Sequence, residues 1–150
     1  MTGINNRKSI PAAVSAGISE RPLRFSFKHL DIKSQKFSPT KCCNEYFQKL
    51  FCSLQKFSTW KVSDFTDQNN NEHRHIINFS ETSEPEGFES AFELDRDQAG
   101  YAEGWQFSVD QDQPWSDWRV QGVLIDEVFY VVWLDSEHAL YNRRALPPGN

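Results

Sequence analysis

The sequence has no long apolar run: no stretch approaches the roughly 20 residues of a membrane helix, so no membrane span is predicted. The glycine patterns that cradle nucleotides are missing too. Neither G-x-x-x-x-G-K-S/T nor G-x-G-x-x-G occurs, which leaves no motif for a nucleotide cofactor. There is also no G-x-S-x-G nucleophile elbow. Positive charge is in short supply, since 16 basic residues face 21 acidic ones and the net charge is −5. That balance argues against a protein whose main task is to coat a phosphate backbone, which draws on clustered Lys and Arg. Cysteine is scarce as well. Cys42, Cys43 and Cys52 form an odd, closely spaced set that predicts reduced thiols in a cytoplasmic setting. The C-C-x8-C spacing lacks the paired C-x2-C of structural zinc sites, and no metal or other cofactor is expected.

Aromatic side chains are what the sequence has in abundance. Twelve Phe, five Trp and four Tyr stand against a single Met, so rings are expected to dominate a core that is short of aliphatics. Residues 1–20 read as a flexible leader, 21–143 as a single α+β domain and 144–150 as a frayed tail. Within the domain, Leu23, Phe25 and Phe27 alternate with polar residues as in a half-buried strand. Ser38-Pro39 has the form of a helix start, and Cys43, Phe47, Leu50, Phe51 and Leu54 follow at helical spacing. A short second helix is expected through Trp60, Val62 and Phe65, ended by the asparagine-rich stretch from Asp67 to Glu72. Strands are expected again at His73–Phe79 and around Trp105, Phe107 and Val109, with a short acidic helix between Ser83 and Gln98. The order predicts an antiparallel sheet of four to five strands with two or three helices packed on one face.

Trp118 to Tyr141 is the most apolar part of the chain and reads as a hairpin turning at Asp126-Glu127. That register pairs Ile125 with Val128, Gly122 with Val131 and Val120 with Trp133. It places Trp118, Val120, Gly122, Leu124, Phe129, Val131 and Trp133 on the core face. Arg119 and Gln121 fall on the opposite face, at the end where the chain leaves into His138 and Tyr141. A cation, an imidazole and a phenol at one end of one hairpin make Arg119, His138 and Tyr141 candidate catalytic residues. Singly, each reads as a surface or core-edge residue. His73, Arg74 and His75 form a second cluster, with both histidines expected on one strand face and Arg74 on the other. Together with Gln121 they are candidate substrate-binding residues.

With Arg119 on one apolar strand and the His138–Tyr141 segment HALY closing the next, this half of the chain resembles the RelE/HigB-type toxins of bacterial toxin-antitoxin systems. The resemblance implies a RelE-like fold and a metal-independent mRNA endoribonuclease that meets RNA, the ribosome or an antitoxin partner. In that chemistry the 2′-hydroxyl attacks the adjacent phosphate, His138 moves a proton, Arg119 stabilises phosphoryl charge and Tyr141 positions a base. The chain departs from that family in its acidic charge and its acidic insertion around Ser83 to Gly100. The alternative is a non-catalytic interaction module such as an immunity protein, an inhibitor or a defence-complex subunit. It would dock a basic partner through exposed Trp115, Trp118 and Phe88.

Overall fold

The computed structural model describes residues 17–67, 73–90 and 102–141. The expected tail, most of the leader, most of the asparagine-rich stretch and the second half of the acidic segment lie outside the described residues. Five strands, β1 (Arg24–Ser26), β2 (Arg74–Ile76), β3 (Glu103–Ser108), β4 (Arg119–Ile125) and β5 (Val128–Asp135), form one sheet in the order β1-β5-β4-β3-β2. The class is α+β, as the order of elements predicted. One pairing departs from the antiparallel expectation. β1 runs parallel to β5, with Phe25 opposite Phe129, so the sheet is mixed. A parallel pair needs a long crossover, and everything between β1 and β5 supplies it.

Two helices, α1 (Asn44–Ser58) and α2 (Val62–Thr66), lie between β1 and β2. Ser38-Pro39 starts a 3-10 turn over Pro39–Lys41, in which the Ser38 hydroxyl accepts from the Thr40 N–H at 3.1 Å. Extended backbone at Cys42 and Cys43 then separates this turn from α1. The buried stripe of α1 is Tyr46, Leu50, Ser53, Leu54 and Phe57, rotated from the expected one, and Cys43 and Phe51 face solvent. The rotation suits the ring-rich core. Phe57 and Phe65 meet Phe107 edge-on, at 5.2 and 6.2 Å between centroids, and Phe65 also meets Phe129 at 5.7 Å. At α2, the Asp64 carboxylate accepts the Lys61 N–H at 3.0 Å and closes the first turn.

The opposite sheet face is buried as well, under irregular chain. Trp133 stacks on Phe37 at 4.5 Å and meets Phe88 at 4.8 Å, with Ile77, Val123, Ile125, Val132 and Leu140 around them. Phe88 belongs to a 3-10 turn at Gly87–Ser90, where an α-helix was expected.

The hairpin turns at Asp126-Glu127, with Asp126 left-handed at φ 54°, and Ile125 pairs with Val128 as expected. A β-bulge then changes the faces. Gly122 opposes Val131 but Gln121 opposes Trp133, so Val132 is the extra residue. Trp133 therefore moves to the second face and Leu134 takes its place on the helix side, correcting the core face read from simple alternation. Gly122 permits the close approach here, because a Cβ would run into the Tyr130 carbonyl and the Phe129 ring.

Candidate functional site

On the second face, four side chains form a polar row across the sheet. Asp135, 1% exposed, accepts the N–H groups of Ala139 and Leu140 at 2.7 and 3.0 Å and the Gln121 Nε2–H at 2.9 Å. Gln121 Nε2 also donates to Gln106 Oε1 at 2.7 Å, and Gln106 Nε2 lies 3.1 Å from His75 Nε2. The direction of the row is set at both ends. The Asp135 carboxylate only accepts, and His75 Nδ1 donates to the Ile76 carbonyl at 3.0 Å, so His75 Nε2 is the acceptor of the Gln106 amide. Gln121 is fully buried and its Oε1 has no hydrogen-bond partner among the described residues. The register accounts for the line-up, since β2, β3 and β4 place His75 opposite Gln106 and Gln106 opposite Gln121.

Tyr141 closes this row. Its ring meets His75 edge-on at 5.4 Å, and its hydroxyl accepts the Asn78 N–H at 3.1 Å. Burial raises the phenol above its ordinary range, partly offset by that N–H bond. His138 sits half-buried in the turn that Asp135 folds, with left-handed backbone at φ 54°. The turn is pinned from outside too. The Ser83 N–H donates to the Leu140 carbonyl at 2.8 Å and its hydroxyl to the Ala139 carbonyl at 3.0 Å.

Arg119 takes different partners. Its Nη1 donates to the Ser116 and Trp118 carbonyls, so the guanidinium clamps the loop between β3 and β4. Burial lowers its pKa from the ordinary value, against the pull of Asp135 and Asp117. The rest of the loop is equally tied. Asp110, buried beside Lys49, accepts the Asp112 and Gln113 N–H groups at 3.0 Å each. Gln111 Nε2 donates to the Ser108 carbonyl at 2.7 Å, and the Ser116 N–H to the Gln113 carbonyl at 3.0 Å. From this braced loop Trp115 projects with 75% of its surface exposed, and the loop also carries the exposed Asp112 and Asp117. Trp118 packs on the core and Phe88 on Trp133, so of the three expected surface aromatics Trp115 is the exposed one.

The second cluster divides. His75 lies on the polar row, whereas Arg74 turns to the helix side, and His73 precedes β2 and lines a cavity with Arg74. Arg74 is 5% exposed, lies 4.8 Å from the Trp60 ring centroid and donates through Nε to the Phe65 carbonyl at 3.2 Å. Burial lowers its pKa, and Asp67 opposes the shift.

The structure thus joins Tyr141, His75 and Gln121 through Gln106, gives Arg119 to the loop and places Arg74 across the sheet. Gln106 and Asp135 were missed as members of the row. The available signal was a glutamine inside each of two neighbouring strands, Gln106 between Trp105 and Phe107 and Gln121 between Val120 and Gly122. Comparison with protein-family models, curated proteins and solved structures finds no match to this chain.

Proposed function

We propose that this protein is a non-catalytic interaction module that docks a basic protein partner through Trp115. The observation that carries this reading is an exposed indole on a loop braced by Asp110, Gln111 and Arg119. A large aromatic side chain held in place before binding loses little freedom on docking, which is the character of an interface anchor. The exposed Asp112 and Asp117 on the same loop suit a partner rich in Lys and Arg. The three free thiols support a reducing, cytoplasmic location, and no described helix is long and apolar enough to cross a membrane.

A photo-crosslinking residue in place of the exposed Gln113 on the same loop, expressed in the native host, tests the reading with Trp115 intact. The expected result is one dominant cross-linked protein whose purified form binds the wild-type chain, binds more weakly as salt rises and loses affinity by about 2 kcal/mol on Trp115→Ala. A purified partner indifferent to Trp115→Ala would overturn it.

A second reading, metal-independent RNA cleavage by a RelE-like toxin, is favoured by one observation, the His75–Tyr141 contact at 5.4 Å. It predicts RNA cleavage in chelator that falls on His75→Ala and on Tyr141→Phe. The engagement of Arg119 with loop carbonyls and of Asp135 with backbone amides supports the non-catalytic reading over it.

A further inference from the structure

Among the described residues the exposed large apolar side chains are Phe27, Ile32, Phe51, Ile76 and Trp115. Phe27 and Ile32 share the turn at residues 27–33 that follows β1, and each precedes an exposed lysine, Lys28 or Lys33. The turn is braced. The Leu30 N–H donates to the Phe27 carbonyl and the Ile32 N–H to the Leu30 carbonyl, both at 3.1 Å, and the Asp31 N–H to the Val132 carbonyl of β5 at 2.9 Å. The carboxylate of Asp31 is engaged with the sheet and with the turn itself. It accepts the Trp133 Nε1–H at 3.3 Å and the N–H groups of Lys33 and Ser34 at 3.2 and 3.1 Å. Neither Lys28 nor Lys33 forms an ion pair among the described residues. The turn therefore presents two cations and two apolar side chains to solvent.

The loop between β3 and β4 offers the complement, an exposed indole with the exposed Asp112 and Asp117. Asp117 also acts on the Arg119 guanidinium, whereas Asp112 has no ion-pair partner among the described residues. Loop and turn lie apart in the sheet order, since β5 separates β1 from β4. A partner of the loop needs its cations only where it docks, and this chain carries such a surface itself. We propose that the Trp115 loop of one copy docks on the 27–33 turn of a second copy, head to tail. The inference rests on docking through Trp115 and names the partner. Charge selects the arrangement. Two turns face to face set lysines against lysines, and two loops set carboxylates against carboxylates, so both symmetric pairings are disfavoured. Loop on turn brings opposite charges together and packs the indole with Phe27 and Ile32. Both surfaces are held in shape beforehand, so docking orders little new chain. Each docked pair leaves one loop and one turn unused, so assembly grows with concentration or closes into a ring.

Sedimentation velocity of the purified full chain from about 10 μM to about 1 mM tests this. The mean mass of the wild-type chain is expected to rise with concentration. Lys28→Glu/Lys33→Glu and Asp112→Lys/Asp117→Lys are each expected to stay monomeric when alone. Mixing the two is expected to restore association, because each loop then meets a turn of opposite charge although both variants remain net negative. Trp115→Ala is expected to weaken wild-type association about ten-fold or more. A wild-type chain that is monomeric throughout overturns the proposal, as does association indifferent to either charge reversal. A monomeric chain that still cross-links a different protein from position 113 refutes the second copy and leaves docking through Trp115 standing. Charge-sensitive association that Trp115→Ala leaves unchanged overturns both. A monomeric chain that binds phosphatidylserine vesicles, and loses them on Lys28→Glu/Lys33→Glu, gives the turn to a lipid surface and overturns the proposal as well.

Discussion

Replacing Gln121 by glutamate probes the polar row with a change of one atom. In the wild-type chain Gln121 Nε2 supplies hydrogens to Gln106 Oε1 at 2.7 Å and Asp135 Oδ2 at 2.9 Å, while its Oε1 sits buried and without a partner among the described residues. Gln121→Glu puts an oxygen where the donor was, facing two acceptors. The new carboxyl must keep a proton to donate to either, and beside Asp135 it holds that proton far above the usual carboxylate range. The unfolded chain gives up the same proton near pH 4.3, as a free glutamate does. Above that pH the folded variant binds one proton more than its unfolded form, so its stability relative to wild type falls as pH rises, by about 1.4 kcal/mol per pH unit. Between about pH 4.5 and pH 7 the loss reaches about 3 kcal/mol, a large part of the stability of a domain this size. Urea denaturation of both proteins, followed by tryptophan fluorescence across that range, measures the difference. Gln121→Met, which removes the donor without adding a titrating group, is the control and is expected to show a pH-independent deficit. A Gln121→Glu deficit that is the same at both ends of the range would refute the burial and direction assigned to the row.

Arg119→Ala is expected to cost about 1–2 kcal/mol by freeing the Ser116 and Trp118 carbonyls, and to speed amide exchange at Gln113 and Ser116. Unchanged exchange there would mean that the guanidinium does not brace the loop. Gly122→Ala is expected to destabilise by about 3 kcal/mol, because its Cβ meets the Tyr130 carbonyl as well as the movable Phe129 ring. A calorimetric midpoint equal to wild type would contradict the bulge geometry. Burial raises the Cys42 thiol to about 11, so on the order of one molecule in a thousand is thiolate at pH 8. Alkylation followed by mass spectrometry should label the exposed Cys43 and Cys52 first and Cys42 last, and early labelling of Cys42 would contradict its burial.

The site residues were legible individually, and their partners were not. Arg119, His138 and Tyr141 stand close to one end of the hairpin, and sequence proximity suggested that they converge. The partners found are Ser116 and Trp118 for Arg119 and Asn78 and His75 for Tyr141, with His138 in a left-handed turn under Asp135. Each of those partners, apart from the near neighbours of Arg119 and His138, comes from an element distant in sequence. No spacing rule predicts them.

What the sequence by itself determined was the part of the protein governed by local period and turn chemistry. Alternation marked β3, β4 and β5, helical spacing marked α1, and Asp126-Glu127 set the turn, because strand and helix periods follow from backbone geometry. The tertiary structure alone decided three things: the parallel docking of β1 on β5, the bulge that sends Trp133 to the second face, and the cross-sheet line from His75 to Asp135. All three depend on how separate segments pack against one another. A parallel neighbour is chosen by the crossover that leads to it, and a bulge by the ring that must fit over Gly122. A buried hydrogen-bond row exists only where three strand registers agree, and that agreement belongs to the folded sheet.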